Sequence, residues 1–421
     1  MKHYYFLLLL SFGTLSCQKS PQQQTMGESV KEETLEETLN GLQKQYDILG
    51  MSALAIKDGK EVFSYYNGMA DVERQQPVTA KTKYRVASIS KYVVTTGLMK
   101  LYEEGKFDLD TDVSKYLGFE LRNPKHPAEV ITIKHILTHS SGLSDSDAYF
   151  DFLMDTYKER NPSIEEVFKK EGKYYSDSTW SDNKPGVHFE YSNLGFGVIG
   201  NLIEKLSGER FDIYLRDHIL RPLEISGSFN VNDLPDINEL SVLYRREDLD
   251  PKKKWEPQTD NHKGEKPNAR EDLKDYKAGW NGVAFGPQGS FRASAEELSK
   301  IMQLHMNKGT YKGKEILKPE TVELMNSIHF KTDGDKVFEM VGLCAHIEDE
   351  LLPDYRLFGH TGDAYGLHSL MFFNKEHNFG IVYIVNSSLV AEGKTGLYTV
   401  EEDLTRAIFE KLKPTLVDGD M

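Results

Sequence analysis

Cysteine is almost absent: the 421-residue chain has two, Cys17 and Cys344. At most one pair could form, so the fold is expected to stand on its core and not on a disulfide framework. Cationic residues are also in deficit, with 51 Lys and Arg against 66 Asp and Glu and a formal net charge of −15. A phosphate backbone needs a clustered positive surface, so nucleic acid is excluded as a partner. Beyond residue 15 no apolar run is long enough to cross a bilayer. No Gly-x-Ser-x-Gly occurs, so the chain offers no strand–turn–helix nucleophile elbow. Internal repeats are missing as well.

What is present begins with a leader. Met1-Lys2-His3 is followed by an apolar stretch from Tyr4 to Leu15, then Ser16 and Cys17. This is a charged start with a short apolar segment, which predicts a secretory signal over residues 1–16. Leu15-Ser16-Cys17 resembles a bacterial lipoprotein cleavage box, with Thr14 where leucine is usual. Cys17 is the expected lipid attachment site, and the polar residues 17–35 the tether. The expectation is an exported protein, periplasmic or at the cell surface, held at the membrane by its N-terminal lipid only.

The rest reads as a mixed α+β chain. Leu35, Leu39, Leu42 and Tyr46 fall at helical spacing. Residues 51–56 and 62–66 alternate as strands around Asp58-Gly59, a hairpin signal. Residues 145–184 are acidic and aromatic, fit either to wall a cleft or to form a small core of their own. Residues 233–281 read as charged loops. Ser294 with Glu297 spells a helix-capping box. Residues 338–347, 369–373 and 380–385 read as strands, with 356–362 leading into the second of them, and a final helix is expected near 398–412. Strands at both chain ends predict one antiparallel sheet from residues 36–86 and 285–415, flanked by helices. Residues 87–284 are expected to form an inserted, mostly helical domain.

The chemistry is carried by Ser88-Ile89-Ser90-Lys91. Apolar residues at 89, 93, 94, 98 and 101 predict an amphipathic helix starting at Ser88, with Lys91 one turn on and on the same face. A serine hydroxyl needs a base to become a nucleophile. A lysine on an apolar face is costly to keep charged, so its pKa falls toward that of a usable base. The free N–H groups of a helix start can hold a developing oxyanion. Ser-x-x-Lys also occurs at Ser16…Lys19 and Ser181…Lys184, but only Ser88 opens a long helix. His135 and His139 are spaced as metal ligands would be on a helix, yet no glutamate lies between them and no third ligand stands nearby. Packing or hydrogen bonding is the expected role, and no metal or cofactor is expected.

Ser88-Ile89-Ser90-Lys91, Tyr191-Ser192-Asn193 and His360-Thr361-Gly362 stand in a fixed order. Together they resemble the serine β-lactamase and penicillin-binding protein superfamily, and most of all its class C β-lactamase-like branch. His135-Ile136-Leu137-Thr138-His139-Ser140-Ser141-Gly142-Leu143 and Lys184-Pro185-Gly186 are typical of that branch too. The resemblance covers roughly residues 40–412. It implies a β-lactamase/transpeptidase-like fold and an acyl-enzyme mechanism. Ser88 would be the nucleophile, with Lys91 and Tyr191 sharing the acid–base work. Asn193 would orient Lys91 and the substrate amide, and His360, Thr361 and Gly362 would edge the cleft. The backbone N–H groups of Ser88 and Asp363 would form the oxyanion hole. The implied substrate is a small molecule or peptide, possibly derived from cell wall, and the branch holds D-amino-acid peptidases and esterases.

Two positions depart from the penicillin-recognising pattern. His360 stands where lysine is usual, and Asp363 where a small residue is usual. An unperturbed histidine is mostly neutral at pH 7, so carboxylate-bearing substrates are expected to bind weakly, and more tightly as pH falls. Ser181-Asp182-Asn183 is a rival for the second motif, but only the tyrosine copy abuts a helix. Two other function classes remain open on the residues alone: a metal-dependent hydrolase on His135 and His139, and a non-catalytic cell-wall binding protein of the same fold.

Overall fold

In the computed structural model, residues 33–158, 160–247, 250 and 252–418 are described. The expected signal segment, most of the tether and Cys17 lie outside them. Residues from Thr34 onward form one compact unit.

The sheet comes from both ends of the chain, as its alternating segments predict. It has nine strands. In chain order they are β1 (Gly50–Lys57), β2 (Lys60–Asp71), β3 (Gln76–Pro77), β4 (Phe330–Lys331), β5 (Met340–Val341), β6 (His346–Glu348), β7 (Leu357–Ala364), β8 (Leu367–Asn374) and β9 (Phe379–Val385). Their spatial order is β4-β5-β6-β7-β8-β9-β1-β2-β3, with every recorded pairing antiparallel. The Asp58-Gly59 turn closes β1 onto β2 with both residues at positive φ, 50° and 74°, the geometry of a type I′ hairpin.

Alternation along the central strands feeds two cores. On β1, Leu54 and Ile56 point into one, whereas Met51, Ala53 and Ala55 point into the other. The second core is covered by the first and last helices, α1 (Leu35–Gln45) and α7 (Thr399–Lys413). The first and larger core holds α2 (Ile89–Glu103), α3 (Ile133–Leu137), α4 (Asp147–Tyr157), α5 (Asn193–Ser207) and α6 (Ala295–Met306). Helix α2 differs from its expected amphipathic character. Twelve of its residues, Lys91 included, are buried. A helix covered on all sides is the centre of a core, and its apolar spacing marks only part of the face it buries.

Two other readings change. Residues 338–347 are not one strand. β5 and β6 form a tight hairpin, because Cys344 adopts φ 66° and folds the chain back. The aromatic stretch 145–184 has no core of its own: Tyr149, Phe152, Tyr174 and Trp180 are buried in the first core, and Tyr157 lines a cleft.

The capping box at the start of α6 does more than close a helix. Glu297 Oε2 accepts from the Ser294 backbone at 3.0 Å, and Oε1 accepts from Ser226 N, Ser226 Oγ and Gly227 N at 2.7, 2.7 and 3.0 Å. Lys83 Nζ lies 3.7 Å away. One buried carboxylate therefore ties three segments, and removing it leaves buried donors and a cation unpaired. Glu297→Ala should lower stability by about 3 kcal/mol, and Glu297→Gln by clearly less, read from urea unfolding midpoints. A loss of under about 1 kcal/mol for the alanine variant would show that the carboxylate is not the tie.

Candidate active site

Ser88 is the N-cap residue of α2, and Lys91 lies one turn on. Their side chains meet: Lys91 Nζ is 2.9 Å from Ser88 Oγ. Lys91 also donates to the Gln288 carbonyl at 2.6 Å and is fully buried. Burial pushes its pKa down to about 7, against smaller upward pulls from Cys344 and Asp145. A neutral amine there donates one proton to the Gln288 carbonyl and keeps its lone pair for the Ser88 hydroxyl.

The serine is presented by a strained loop. Ala87, immediately before it, has φ 48°, which costs a residue with a Cβ energy that the surroundings must hold in place. What holds it is β7. A Cβ on Gly362 would lie 2.4 Å from the Val86 carbonyl, so only glycine lets the strand approach this closely. Ser369 Oγ, on β8, donates to the same carbonyl at 3.2 Å. β7 and β8 are closed by Tyr365-Gly366, both at positive φ, 58° and 87°. In such a two-residue hairpin the closing pair Ala364–Leu367 is hydrogen-bonded and the next pair, Asp363–His368, is not. The Asp363 N–H therefore points off the β7–β8 ladder, one residue beyond the contact with Val86. The Ser88 N–H starts a helix.

Tyr191 precedes α5. Lys91 Nζ sits 4.8 Å from the centre of its ring, and its hydroxyl has the Ser88 side chain as hydrogen-bonding neighbour. Burial raises its pKa well above the ordinary phenol value, so the group stays protonated at neutral pH. Asn193 does not touch Lys91 as expected. Its Nδ2 and N–H both go to Asp145 Oδ2, at 2.7 and 3.0 Å, while Asp145 Oδ1 takes Leu194 N at 2.9 Å and Ser192 Oγ at 3.3 Å. Asp145 is the clamp on the second motif. Nothing in its local sequence singles it out. Ser181-Asp182-Asn183 lies in a surface loop, with the Asp182 side chain 92% exposed and paired to Lys125.

His135 and His139 face different partners. His135 Nδ1 accepts from the Thr132 N–H, and His139 Nδ1 accepts from the Ser192 N–H at 3.1 Å. The His139 ring stacks on Tyr191 at 4.3 Å. Among the described residues no group of three or more His, Cys, Asp or Glu is placed to hold a metal ion.

His360 corrects an expectation. It is 1% exposed, with Nδ1 donating to the Thr361 carbonyl at 2.6 Å and its ring 3.9 Å from that of His346. Burial, with the Lys91 charge beside it, pushes its pKa down to about 3. His139 and His346 are pushed well below the ordinary histidine value for the same reasons. His360 therefore does not charge as pH falls from neutral, and it cannot strengthen carboxylate binding at mildly acidic pH. Thr361 and Gly362 continue β7 past the site.

A cleft of about 720 Å³ is lined by Arg85, Tyr157, Ser290 and Tyr365 among others. Arg85 donates from Nε to the Gly289 carbonyl and from Nη2 to Ser290 Oγ, at 3.2 and 2.6 Å. It braces the loop whose Gln288 carbonyl holds Lys91. Ser88 and Lys91 are not in the cleft's lining.

The β-lactamase family profile matches residues 35–404. The chain belongs to the β-lactamase family. This β-lactamase-family protein is 30% identical over 184 residues to protein flp of Staphylococcus aureus, a stretch that is 44% of this chain and 35% of that one. The match thus spans about a third of the length of that relative. Among solved structures, the octameric penicillin-binding protein homologue from Pyrococcus abyssi superposes with a TM-score of 0.70 at 24% identity, over 91% of this chain and 78% of that one. D-amino acid amidase from Ochrobactrum anthropi, complexed with L-phenylalanine amide, superposes with a TM-score of 0.68 at 20% identity, over 90% and 98%. At these identities the likeness is one of fold, the β-lactamase/transpeptidase fold of a mixed α+β chain around a large antiparallel sheet.

The buried position of His360 has a direct spectroscopic consequence. A histidine with its pKa near 3 is neutral throughout the range in which free histidine titrates. The His360 ring proton, assigned by its loss in His360→Gln, should keep its neutral chemical shift from pH 8.5 down to 5.5. A midpoint above pH 6 would mean that the ring is exposed or has gained an acidic partner.

Proposed function

We propose that this protein is a serine hydrolase of the class C β-lactamase-like branch, cleaving an amide or ester through an acyl-enzyme on Ser88. The observation that carries the reading is the 2.9 Å approach of a fully buried Lys91 to Ser88 Oγ. Lys91, held near neutrality by burial, takes the Ser88 proton as Oγ attacks the carbonyl carbon. The N–H groups of Ser88 and Asp363 receive the oxyanion. Tyr191, a protonated phenol, gives its proton to the leaving nitrogen or oxygen and regains one from the Lys91 ammonium. Water then attacks the acyl-serine by the reverse traffic. The Gln288 carbonyl and the Arg85 brace set the direction of the lysine lone pair.

Small amides, esters and peptides, including fragments of cell wall, are the substrate class, and the amidase likeness of the fold supports it. With His360 neutral, a lasting charge facing a substrate carboxylate is missing from β7, and penicillins are expected to be poor substrates. The complete nucleophile–base pair favours catalysis over a purely binding role.

Intact-protein mass spectrometry after incubation with penicillin, an aryl ester and a peptide ending in two D-alanines tests the acyl-enzyme. An adduct should form with at least one of the three and be absent from Ser88→Ala. An adduct that persists in Ser88→Ala would assign the nucleophile elsewhere. The pH profile tests the base. A lysine with its pKa near 7 is about half free base at pH 7 and about a tenth at pH 6, so kcat/KM should climb about fivefold over that unit and level off above pH 8. A profile flat from pH 5.5 to 8.5 would remove Lys91 from the base role.

We also propose export and lipid attachment at Cys17, on the strength of the charged start, short apolar segment and polar tether. Cys17→Ala should move the protein from the membrane fraction to the soluble fraction. Native protein already found soluble would refute the anchor.

A further inference from the structure

A second cavity, of about 190 Å³, lies on the other side of the Tyr365-Gly366 turn. Tyr365 is a wall of both this cavity and the larger cleft lined by Arg85 and Ser290. At roughly 30 Å³ per molecule the space equals about six waters, so a small organic group fits. Four of the side chains that line it each carry a buried polar atom with no partner among the described residues: Arg246 Nε, Trp255 Nε1, His368 Nδ1 and Ser388 Oγ. Buried polar atoms are nearly always satisfied, and four failures converging on one small cavity are far from the ordinary scatter. His368 and Ser388 are 3% and 4% exposed, so they cannot turn to bulk solvent.

Three of the four atoms are donors or can donate. Arg246 Nε and Trp255 Nε1 can only donate, and Ser388 can donate. The Arg246 guanidinium is stacked over the Trp255 ring at 4.3 Å and anchored by an ion pair to Asp47, so its free N–H is held in a fixed direction. Arg245 adds a second guanidinium to the wall. Donors held rigidly beside a guanidinium are suited to a carboxylate. The acidic group of the cavity is Asp363, whose carboxylate accepts from the Tyr398 hydroxyl. It leaves room for one negative charge at the arginine end and opposes a dianion. We propose that this cavity is a binding site for a small monocarboxylate, held by Arg246, Trp255 and Ser388. The carboxylate belongs either to the substrate hydrolysed at Ser88 or to a free acid, and this second clause alone rests on the proposed hydrolase reading.

Calorimetric titration of the Ser88→Ala protein with propionate, and with neutral propionamide, tests the site without any turnover. Propionate should bind saturably, propionamide at least about tenfold more weakly, and Ser388→Ala and Trp255→Phe should each weaken propionate by about tenfold. Trp255→Phe keeps a ring beneath Arg246 and removes only the N–H. An absence of saturable propionate binding, equal binding of propionamide, or variants that leave affinity unchanged would each mean a cavity filled by water only, and would overturn the proposal. Hydrolysis then separates the sources, in the Ser88 protein with and without Ser388→Ala. A fall in kcat/KM confined to an aryl ester bearing a carboxylate assigns the site to the substrate. Unchanged hydrolysis of both that ester and a neutral one assigns it to a free acid. An equal fall on both esters would make Ser388 structural and refute the site.

Discussion

The arrangement depends on one unfavourable burial: an amine with no carboxylate partner in the middle of a core. Lys91 is enclosed by α2's own neighbours on every side, and its two polar contacts are a hydroxyl and a carbonyl. Lowering its pKa from 10.5 to about 7 corresponds to roughly 5 kcal/mol against the charged form. Had an acidic side chain been placed within hydrogen-bond distance, the ammonium would have been restored and the lone pair lost. Asp145, the nearest such candidate, spends its oxygens on four donors around Ser192, Asn193 and Leu194. The clamp on the second motif thus also keeps a carboxylate from neutralising the chemistry of the first.

The same logic explains the histidines. His139, His346 and His360 surround Tyr191 and Lys91 as neutral rings, because each charge added there would face both desolvation and the lysine. A permanent cation at position 360 would bind a carboxylate. Here the strand offers an uncharged ring, and the guanidinium groups lie outside this cluster: Arg85 in the cleft, Arg245 and Arg246 across the Tyr365 turn. The guanidinium charges and the neutral Lys91–histidine cluster are therefore separated in space.

What could be read from sequence follows the range of the signals. Helix α1, the Asp58-Gly59 hairpin, the Ser294–Glu297 cap and strands β8 and β9 rest on spacings of two to four residues, and each forms where expected. The hairpin at Cys344 was hidden because a left-handed non-glycine residue leaves no compositional mark. The burial of α2 on all faces is a tertiary fact that its own periodicity understates. Within the site, Ser88, Lys91 and Tyr191 announce themselves through chemistry and order. The Gln288 carbonyl cannot, because a backbone oxygen has no residue type, and the Gly286-Pro287-Gln288-Gly289 turn says only that the chain bends there. The neutral state of His360 depends on burial and on the Lys91 charge, and the His346 ring against it arrives from the neighbouring strand.

The strain at Ala87 closes the chain of causes. A positive φ before Ser88 persists only if neighbouring structure holds it, and that neighbour is β7 at Gly362. Because β7 is held in turn by the Tyr365-Gly366 turn, the register of one hairpin sets three things together: the close approach at Val86, the outward direction of the Asp363 N–H, and the shared wall between the two cavities. A one-residue slip in that register would turn the Asp363 N–H into the ladder and place a side chain against Val86. The geometry of the Ser88 loop, the direction of the Asp363 N–H and the shape of both cavities are thus a single constraint, which is why glycine at 362 and the left-handed pair at 365 and 366 cannot be varied one at a time.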